Sequence, residues 1–369
     1  MIDTQSFHES LKNAGFSMFT GVADSTTQEW LKLVYQEPHH VIATNECEAL
    51  AIAAGHYLSS NDIACVYLQN AGLGKIVNPL TSLCTKEVSR IPALLVIGWR
   101  GAPGTTDEPQ HAKMGQITAE LLDLLGIPYS EVTEGNFVDI ASQAMAWMRE
   151  HKTPYALLVR KGQMEKVDAV YPPEYLVTEP TREQAIHAIV AASPVNSIFV
   201  TTTGKTSREL YEYRIEQGQS TDSDFLNVGA MGSATAIALG IAGNTERPVI
   251  VIDGDGACMM QLGTLITAGA LFRPNLLHIV LDNQAFDSTG GQPTFSDCVG
   301  FTDVAATCGL EASAVHNLSD LQDAVKRCIT HSKPSFIHMP IARGARSDLG
   351  RPKSTPSERA AAFTREVCS

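Results

Sequence analysis

Short apolar runs alternate along the chain with longer segments of helical periodicity. Seven such runs, rich in β-branched side chains, occupy residues 63–68, 93–98, 155–159, 197–200, 248–253, 276–281 and 335–339. Continuously apolar strands that alternate with helices are typical of a parallel sheet covered by helices on both faces. The pattern therefore predicts an α/β protein with one mostly parallel sheet in each half.

The chain is long enough for two domains. Its 369 residues exceed the size of one ordinary domain, and each half can bury a core of its own. Around residues 162–181 the alternation lapses and prolines accumulate, which is typical of an exposed linker. We predict a first domain over residues 1–165, a linker over 166–182 and a second domain over 183–369, with an extended tail at 343–357.

The acidic composition restricts the partners of the protein. The formal net charge is −13 at pH 7, so nucleic acid or an anionic membrane is repelled on average. The longest apolar run, residues 91–99, is far shorter than the roughly 20 residues that span a bilayer, and the N-terminus has no signal-peptide pattern. We expect a cytoplasmic protein with no nucleic-acid or membrane partner, in which an anionic substrate needs a local cluster of cations.

One strand of the second half ends in a Gly-Asp-Gly sequence. The run 248–253 leads directly to Gly254, Asp255 and Gly256, with Ala257 after them. Open α/β sheets bind ligands at the carboxyl ends of their strands. The glycines allow the backbone to approach a phosphate, and the Asp255 carboxylate suits Mg²⁺, a cation that binds diphosphates. Alone, the sequence is equally compatible with a simple turn.

A second polar residue follows the next strand. A helix expected over residues 258–272 and another apolar run lead to Asn283. Asp255 and Asn283 are therefore expected at neighbouring strand ends, where a carboxylate and an amide oxygen can share a Mg²⁺ ion. The spacing resembles the thiamine diphosphate motif. This resemblance implies thiamine diphosphate and Mg²⁺ as cofactors, with Asp255, Asn283 and the backbone carbonyl of Ala285 as metal ligands.

Two further segments of the second half fit the same motif. Thr203, Gly204 and Thr206 follow a strand and offer hydroxyl and amide donors to a diphosphate. They do not form a P-loop, because position 199, where that motif needs glycine, is phenylalanine. Met231 stands at the start of an Ala-rich helix, where the resemblance implies that it supports the bent cofactor; plain core packing is the alternative.

The first half must supply the acid that activates the cofactor. Glu46 stands at the start of a helical segment that continues through Tyr57. A glutamate in the first turn of a helix is commonly only a favourable partner of the helix dipole. The order of the motifs resembles that of thiamine diphosphate enzymes, which implies that Glu46 hydrogen-bonds the aminopyrimidine ring and promotes formation of the reactive ylid.

Several segments resemble, in order, the phosphonopyruvate and sulfopyruvate decarboxylase family. They are residues 19–25, 68–82, 98–111, 203–209, 287–294 and 344–352. The resemblance implies a pyrimidine-binding and a diphosphate-binding domain, and the non-oxidative decarboxylation of 3-phosphonopyruvate to phosphonoacetaldehyde and CO₂ in phosphonate biosynthesis. A sulfopyruvate decarboxylase, another 2-keto-acid decarboxylase or carboligase, and a non-catalytic protein with the same fold are the alternatives.

Five residues are candidates for contact with the substrate. Asp24 and Asn70 are expected in the substrate pocket, and His111 is expected to shuttle a proton. Arg343 and Arg346 lie beyond the last strand, and their forked donors suit a phosphonate. A structural histidine and a solvated basic tail are the alternatives.

Two positions next to the expected metal site depart from the family pattern. A glycine is expected at position 284 and a histidine at position 286, whereas this chain has Gln284 and Phe286. We expect these changes to bear on the substrate or the proton donor and not on the cofactor. The resemblance further implies that the cofactor lies between domains of different subunits, in a homodimer or homotetramer.

Overall fold

The structure, a computed structural model, describes residues 1–171 and 180–368. The chain divides into two compact units, Met1–Glu174 and Tyr175–Ser369. Each unit contains a six-stranded sheet in which all paired strands are parallel. The predicted α/β architecture with two parallel sheets is confirmed. Within the predicted linker, residues 172–179 lie outside the described residues.

The first unit contains six strands and six helices within the described residues. The strands are β1 (Phe19–Gly21), β2 (His40–Ile42), β3 (Cys65–Gln69), β4 (Leu94–Trp99), β5 (Tyr129–Glu131) and β6 (Tyr155–Arg160). The helices are α1 (Thr4–Asn13), α2 (Gln28–Val34), α3 (Glu46–Ser60), α4 (Asn70–Pro79), α5 (Pro109–Leu124) and α6 (Ile140–His151). The strand order β2-β1-β3-β4-β6-β5 places β3 and β4 at the centre.

The second unit repeats this arrangement with one short additional ribbon. Its strands are β7 (Ile198–Thr201), β8 (Asp224–Leu226), β9 (Val249–Gly254), β10 (Leu276–Asp282), β11 (Ala285–Phe286), β12 (Gln292–Pro293), β13 (Glu311–Ala314) and β14 (Ser335–Pro340). Its helices are α7 (Arg182–Ala192), α8 (Lys205–Glu216), α9 (Ala234–Ala242), α10 (Asp255–Met260), α11 (Thr264–Leu271), α12 (Phe301–Thr307), α13 (Leu318–Ile329) and α14 (Pro356–Val367). The six-stranded sheet has the order β13-β14-β10-β9-β7-β8, and β11 pairs with β12.

Both sheets have an apolar core on each face. In β4, Leu94 and Val96 point into one core, whereas Leu95 and Ile97 point into the other. Strands β9 and β10 divide their side chains between two cores in the same way. This explains why the central strands are apolar at every position, since neither face of the sheet meets water.

The predicted single helix over residues 258–272 is wrong. The structure has two helices there, α10 and α11, with a break at residues 261–263. The backbone of Gln261 leaves the helical region at φ −134° and ψ 41°, and Gly263 caps the second helix. The break between α10 and α11 places the Gln261 side chain against Gly232, which lies just before α9. A Cβ added to Gly232 would lie 2.8 Å from Gln261 Cγ.

The C-terminal tail is extended only in part. The segment after β14 has no regular structure up to Thr355, and helix α14 then begins at Pro356. Thr355 and Glu358 form a capping box at its start, which is a strong helix signal. Phe363 packs into the core, 5.7 Å from the ring of Phe225. Within the described residues, no helix combines the length and apolar character that crossing a bilayer requires.

Candidate active site

Asp255 and Asn283 leave adjacent strands at the same edge of the sheet. Strands β9 and β10 pair in parallel with Gly254 opposite Leu281, so the residues that follow are neighbours. Both side chains are buried, with 2% of Asp255 and 7% of Asn283 exposed. Thr294 Oγ1 donates to Asp255 Oδ2 at 2.5 Å, and the Ala285 amide donates to Asn283 Oδ1 at 3.1 Å. The structure therefore brings together the predicted carboxylate and amide.

A second carboxylate lies beside Asp255. Burial, and after it the Asp282 carboxylate, raise the pKa of Asp255 to about 7. Asp282 accepts hydrogen bonds from Ser296 Oγ at 2.8 Å and from the Gln284 amide at 3.0 Å, and its other oxygen lies 3.0 Å from His338 Nε2. Two neighbouring buried carboxylates repel each other, and a bound divalent cation relieves this repulsion.

The donors around Asp255 fit Mg²⁺. The predicted ligands are a carboxylate, an amide oxygen and the carbonyl of Ala285, all hard oxygen donors. Ala285 and Pro293 form a non-hydrogen-bonded pair of the β11–β12 ribbon, since the Thr294 amide donates to the Gln284 carbonyl at 3.2 Å, so the Ala285 carbonyl points away from β12. Among the described residues, no group of three or more His, Cys, Asp or Glu side chains could hold a metal. A Mg²⁺ ion held by these three ligands would take further oxygen donors from a diphosphate or water.

A pocket in the second unit gathers the predicted cofactor residues. It is lined by Thr203, Thr206, Met231, Gly254, Asp255, Gly256, Ala257, Asn283 and Ala285. Gly204 caps helix α8 beside this pocket at φ +88°, and a Cβ there would overlap Ser288 Oγ, which lines the pocket. The N-terminus of α8 and its hydroxyl side chains thus face the space that a diphosphate would occupy.

Sequence reasoning missed other residues that line the same pocket. They are Arg182, Thr202, Lys205, Leu281, Asp287, Ser288 and Thr289. Lys205 lies between Thr203 and Thr206, in the segment that the sequence already assigned to the diphosphate. The sequence could therefore have indicated it as a cofactor-site residue. Arg182 is the last residue of the predicted linker and the first of helix α7, and nothing in the local sequence distinguishes it from a solvent-exposed residue.

Of the two departures from the family pattern, Phe286 lies in this pocket wall, and Gln284 lies between two residues that line it, Asn283 and Ala285. Phe286 is buried and lies against Gly256, where a Cβ would overlap its ring atom Cε1. Gln284 has φ +56°, in the left-handed region that favours glycine. The loop thus keeps the backbone conformation that the expected glycine would adopt, and an apolar ring occupies position 286.

Glu46 is the first residue of α3 and is buried, with 7% of its surface exposed. Its carboxylate packs against α4, where a Cβ on Gly72 would lie 2.5 Å from Glu46 Oε1. Lys75 Nζ, also on α4, lies 3.1 Å from Glu46 Oε2. The glutamate is therefore held in one orientation at the start of its helix by a close glycine and a cation.

Asp24 is fully buried after β1. Its Oδ2 accepts hydrogen bonds from the Thr27 amide at 3.0 Å and from Thr27 Oγ1 at 3.1 Å. Its Oδ1 accepts one from Gln69 Nε2 at 3.2 Å. Burial raises the pKa of Asp24 above its ordinary value, although these hydrogen bonds oppose the rise.

Asn70 and His111 lie around an ion pair that the sequence did not reveal. Arg100 donates from Nε and Nη2 to the two oxygens of Asp107, both at 2.6 Å. Asn70 Nδ2 donates to the Arg100 carbonyl at 2.9 Å and to Thr118 Oγ1 at 3.0 Å. Burial and then the Arg100 charge lower the pKa of His111. Asn70 therefore stabilises the chain just after β4 by linking Arg100 to Thr118.

The two C-terminal arginines both contact other residues of the second unit. Arg343 donates from Nε to the carbonyl of Asn283 at 3.1 Å and from Nη2 to the carbonyl of Gln284 at 2.9 Å. Arg346 forms ion pairs with Glu183 at 2.8 Å, with Asp348 at 3.2 Å and with Glu212. Three carboxylates thus surround the Arg346 guanidinium. Their negative charge would repel a phosphonate, so this arrangement does not support the expectation that Arg346 binds one.

Comparison with known proteins gives the family. The N-terminal TPP-binding domain of thiamine pyrophosphate enzymes matches residues 4–122, and their C-terminal TPP-binding domain matches residues 202–339. These matches define a thiamine diphosphate enzyme with the two cofactor-binding domains in this order. The chain is 39% identical to the phosphonopyruvate decarboxylase of Streptomyces viridochromogenes, over 98% of this chain and 94% of that protein.

A second relative supports the same assignment. The phosphonopyruvate decarboxylase of Streptomyces hygroscopicus is 38% identical over 98% of this chain and 93% of its own length. The sulfopyruvate decarboxylase of Methanosarcina acetivorans is 26% identical over 91% and 90% of the two chains. The chain belongs to the phosphonopyruvate decarboxylase family. The expected family and enzyme class are confirmed.

Proposed function

We propose that this enzyme decarboxylates 3-phosphonopyruvate to phosphonoacetaldehyde and CO₂ as a step of phosphonate biosynthesis. The observation that carries the proposal is an identity of 38% and 39% with two phosphonopyruvate decarboxylases over nearly the full chain, against 26% with a sulfopyruvate decarboxylase. The intact set of cofactor residues around Asp255 supports a catalytic protein over a non-catalytic one.

The cofactor pair that we propose is thiamine diphosphate with Mg²⁺. Asp255, Asn283 and the Ala285 carbonyl would hold the metal, and Thr203, Gly204 and Thr206 would hold the diphosphate. Met231 would support the cofactor from the pocket floor. Bound thiamine diphosphate supplies the electron sink for the bond that breaks when CO₂ leaves. Glu46 would hold and exchange a proton with the cofactor's pyrimidine ring, from its fixed position at the start of α3.

Decarboxylation leaves a carbon that must gain a proton. Because burial raises the pKa of Asp24, its carboxyl keeps a proton to higher pH than an exposed aspartate does. Burial and then the Arg100 charge lower the pKa of His111, so its ring holds a proton less readily than that of an exposed histidine. Asp24 is therefore the stronger candidate for the proton donor, and His111 is the alternative.

The remaining proposals concern the context of the enzyme. We place it in the cytoplasm as a homodimer or homotetramer in which the domains of different subunits share each cofactor. The oligomeric arrangement rests on the resemblance to the family. Size-exclusion chromatography with light scattering, with and without cofactor, measures the oligomeric state, and a monomeric holoenzyme with full activity would contradict the shared site.

Substrate comparison tests the proposed reaction. The purified chain, loaded with thiamine diphosphate and Mg²⁺, is incubated separately with phosphonopyruvate, sulfopyruvate and pyruvate. Phosphorus NMR measures phosphonoacetaldehyde, and a coupled assay measures CO₂ from all three. We expect the highest kcat/KM with phosphonopyruvate and no product when cofactor is omitted. A strong preference for either of the other keto acids overturns the proposed substrate.

A further inference from the structure

The loop that carries the metal ligands has an unfavourable backbone. We call residues 283–287 the metal loop, and its second residue, Gln284, has φ +56°. An L-residue with a large side chain rarely adopts this conformation, because its Cβ crowds the neighbouring peptide. Contacts from outside the loop must therefore hold it in place, and they determine where the ligand atoms of Asn283 and Ala285 point.

Arg343 makes contacts of this kind. Its Nε donates to the carbonyl of Asn283 at 3.1 Å, and its Nη2 donates to the carbonyl of Gln284 at 2.9 Å. These two carbonyls stand on either side of the residue with positive φ. The planar fork of one guanidinium therefore fixes two successive peptide planes, which a single ammonium group cannot do with the same geometry.

The far end of the metal loop is held by the same C-terminal segment. The Gly344 amide donates to Asp287 Oδ2 at 3.0 Å, and Arg182 Nη1 donates to the same oxygen at 3.1 Å. Arg182 is itself fixed by two hydrogen bonds to Glu209, at 2.7 and 2.9 Å. Residues 343 and 344 thus hold both ends of a loop that lies 60 positions earlier in the sequence.

We propose that Arg343 is a positioning residue for the metal site and does not recognise the substrate. It acts through the peptide planes of Asn283 and Gln284, which aim the Asn283 side chain and the Ala285 carbonyl at the bound ion. Outer contacts that orient metal ligands typically contribute 10- to 100-fold to metal affinity. The inference rests on the proposed function only in taking residues 283–285 as the metal site.

Binding measurements on the full-length protein test this role without any substrate. Isothermal titration calorimetry gives the Mg²⁺ affinity at saturating thiamine diphosphate for the wild type, Arg343→Met and Arg343→Lys. We expect the Met variant to bind Mg²⁺ at least about 10-fold more weakly, and the Lys variant to lie between it and the wild type. With cofactor and metal saturating, the KM for phosphonopyruvate should change less than about twofold, because in this role Arg343 does not touch the substrate.

Arg359→Met is the matched control. Arg359 also donates to two backbone carbonyls of the second unit, those of Thr221 at 3.2 Å and Asp224 at 3.4 Å, but neither belongs to the metal loop. Its loss should lower the melting temperature of the apoprotein and leave the Mg²⁺ affinity unchanged. An equal loss of Mg²⁺ affinity in this control overturns the proposal, because general loosening of the domain would then explain the effect.

The remaining outcomes are also decisive. Unchanged Mg²⁺ affinity in Arg343→Met overturns the proposal, as does a raised KM for phosphonopyruvate with normal metal binding. If the Met variant does not fold, the Lys variant decides, and normal Mg²⁺ affinity there overturns the proposal. Weaker Mg²⁺ binding in the absence of substrate supports it even if the enzyme prefers another keto acid, so its failure and that of the proposed reaction are distinguishable.

Discussion

The ring of Phe286 lies against Gly256 so closely that a Cβ on the glycine would overlap the ring atom Cε1. Both residues line the pocket that holds the expected cofactor site. Two factors therefore favour glycine at position 256: the Phe286 ring leaves no space for a side chain, and a phosphate can approach the bare backbone.

We expect Gly256→Ala to destabilise the second unit by about 1–3 kcal/mol, because a tightly packed site must shift to admit the methyl group. Adding Phe286→Ala should restore part of this loss, since it removes the overlapping ring. A double-mutant cycle of unfolding free energies, followed by circular dichroism, measures the coupling. If the two substitutions have additive effects, overlap with the Phe286 ring is not the cause of the lost stability.

Glu46→Gln should retain thiamine diphosphate binding and lose most turnover. The amide keeps the size of the side chain but cannot exchange a proton, and proton transfer by a positioned group typically contributes 10²- to 10⁴-fold to the rate. Calorimetry gives the cofactor affinity and a CO₂ assay gives kcat. Near-normal kcat would refute the role assigned to Glu46. Glu48→Gln, two residues later on the same helix, is the control and should remain active.

Asp255→Ala should abolish Mg²⁺-dependent binding of thiamine diphosphate. The substitution removes the one carboxylate among the three proposed ligands, and a hard cation loses its strongest donor. Titration of cofactor at several Mg²⁺ concentrations measures the effect. Asp323→Ala, which removes an exposed aspartate from α13, controls for the change of net charge. An unchanged cofactor affinity in the Asp255 variant would rule out this metal assignment.

Asp24→Asn should lower kcat by about 10²-fold or more, if Asp24 supplies the proton that the product carbon needs. The amide is nearly isosteric: its oxygen can still accept from Thr27, and its NH₂ can donate to Gln69 once the Gln69 amide turns its oxygen towards it, so the pocket should keep its shape. His111→Gln should have a smaller effect, because the lowered pKa of its ring leaves less of the protonated form to act as a donor. Comparing kcat for the two variants decides between the donors, and a larger loss in the His111 variant would reverse the assignment.

The stability of the first unit should fall in acid because of His40. Burial lowers the pKa of His40 to about 4, below the ordinary value of 6.5. The folded state therefore resists protonation of this ring. Its stabilising contribution is complete above pH 6.5 and is lost as the pH falls towards 4, by at most about 3 kcal/mol.

Urea unfolding followed by tryptophan fluorescence measures this effect, since Trp30, Trp99 and Trp147 all belong to the first unit. The His40→Gln variant should show a weaker loss of stability between pH 6.5 and 4 than the wild type. His39→Gln, an exposed neighbour, should behave as the wild type does. If the unfolding free energy of all three proteins depends on pH in the same way, His40 is not the cause of the acid sensitivity.

The central strands were predictable because burial on both faces leaves a continuous apolar run. All seven runs coincide with strands, and their ends differ by no more than two residues. Short strands such as β2 and β13, which are only partly buried, carry no such run and were missed. The break between α10 and α11 was missed because it depends on how Gln261 packs against Gly232, a contact that local periodicity does not contain.

The candidate site was predictable where its residues follow strands. Asp255 and Asn283 stand directly after β9 and β10. Because these strands are parallel neighbours, the sheet alone brings the two residues together. Arg343 was recognised as a cation, but its contacts with Asn283 and Gln284 were not predictable, because they join residues about 60 positions apart. Arg182 was missed for the same reason, since its contact with Asp287 spans 105 positions.

The dependence of the metal loop on Arg343 and Gly344 bears on the order in which the protein is made. The first unit has all its strands once residue 160 has been synthesised, and it can fold while the rest of the chain is still on the ribosome. The second sheet must wait for β14, which pairs with β10, and the metal loop must wait for the residues just beyond it. A chain released before residue 344 would therefore lack the hydrogen bonds that hold the metal loop, even where most of its domain had formed.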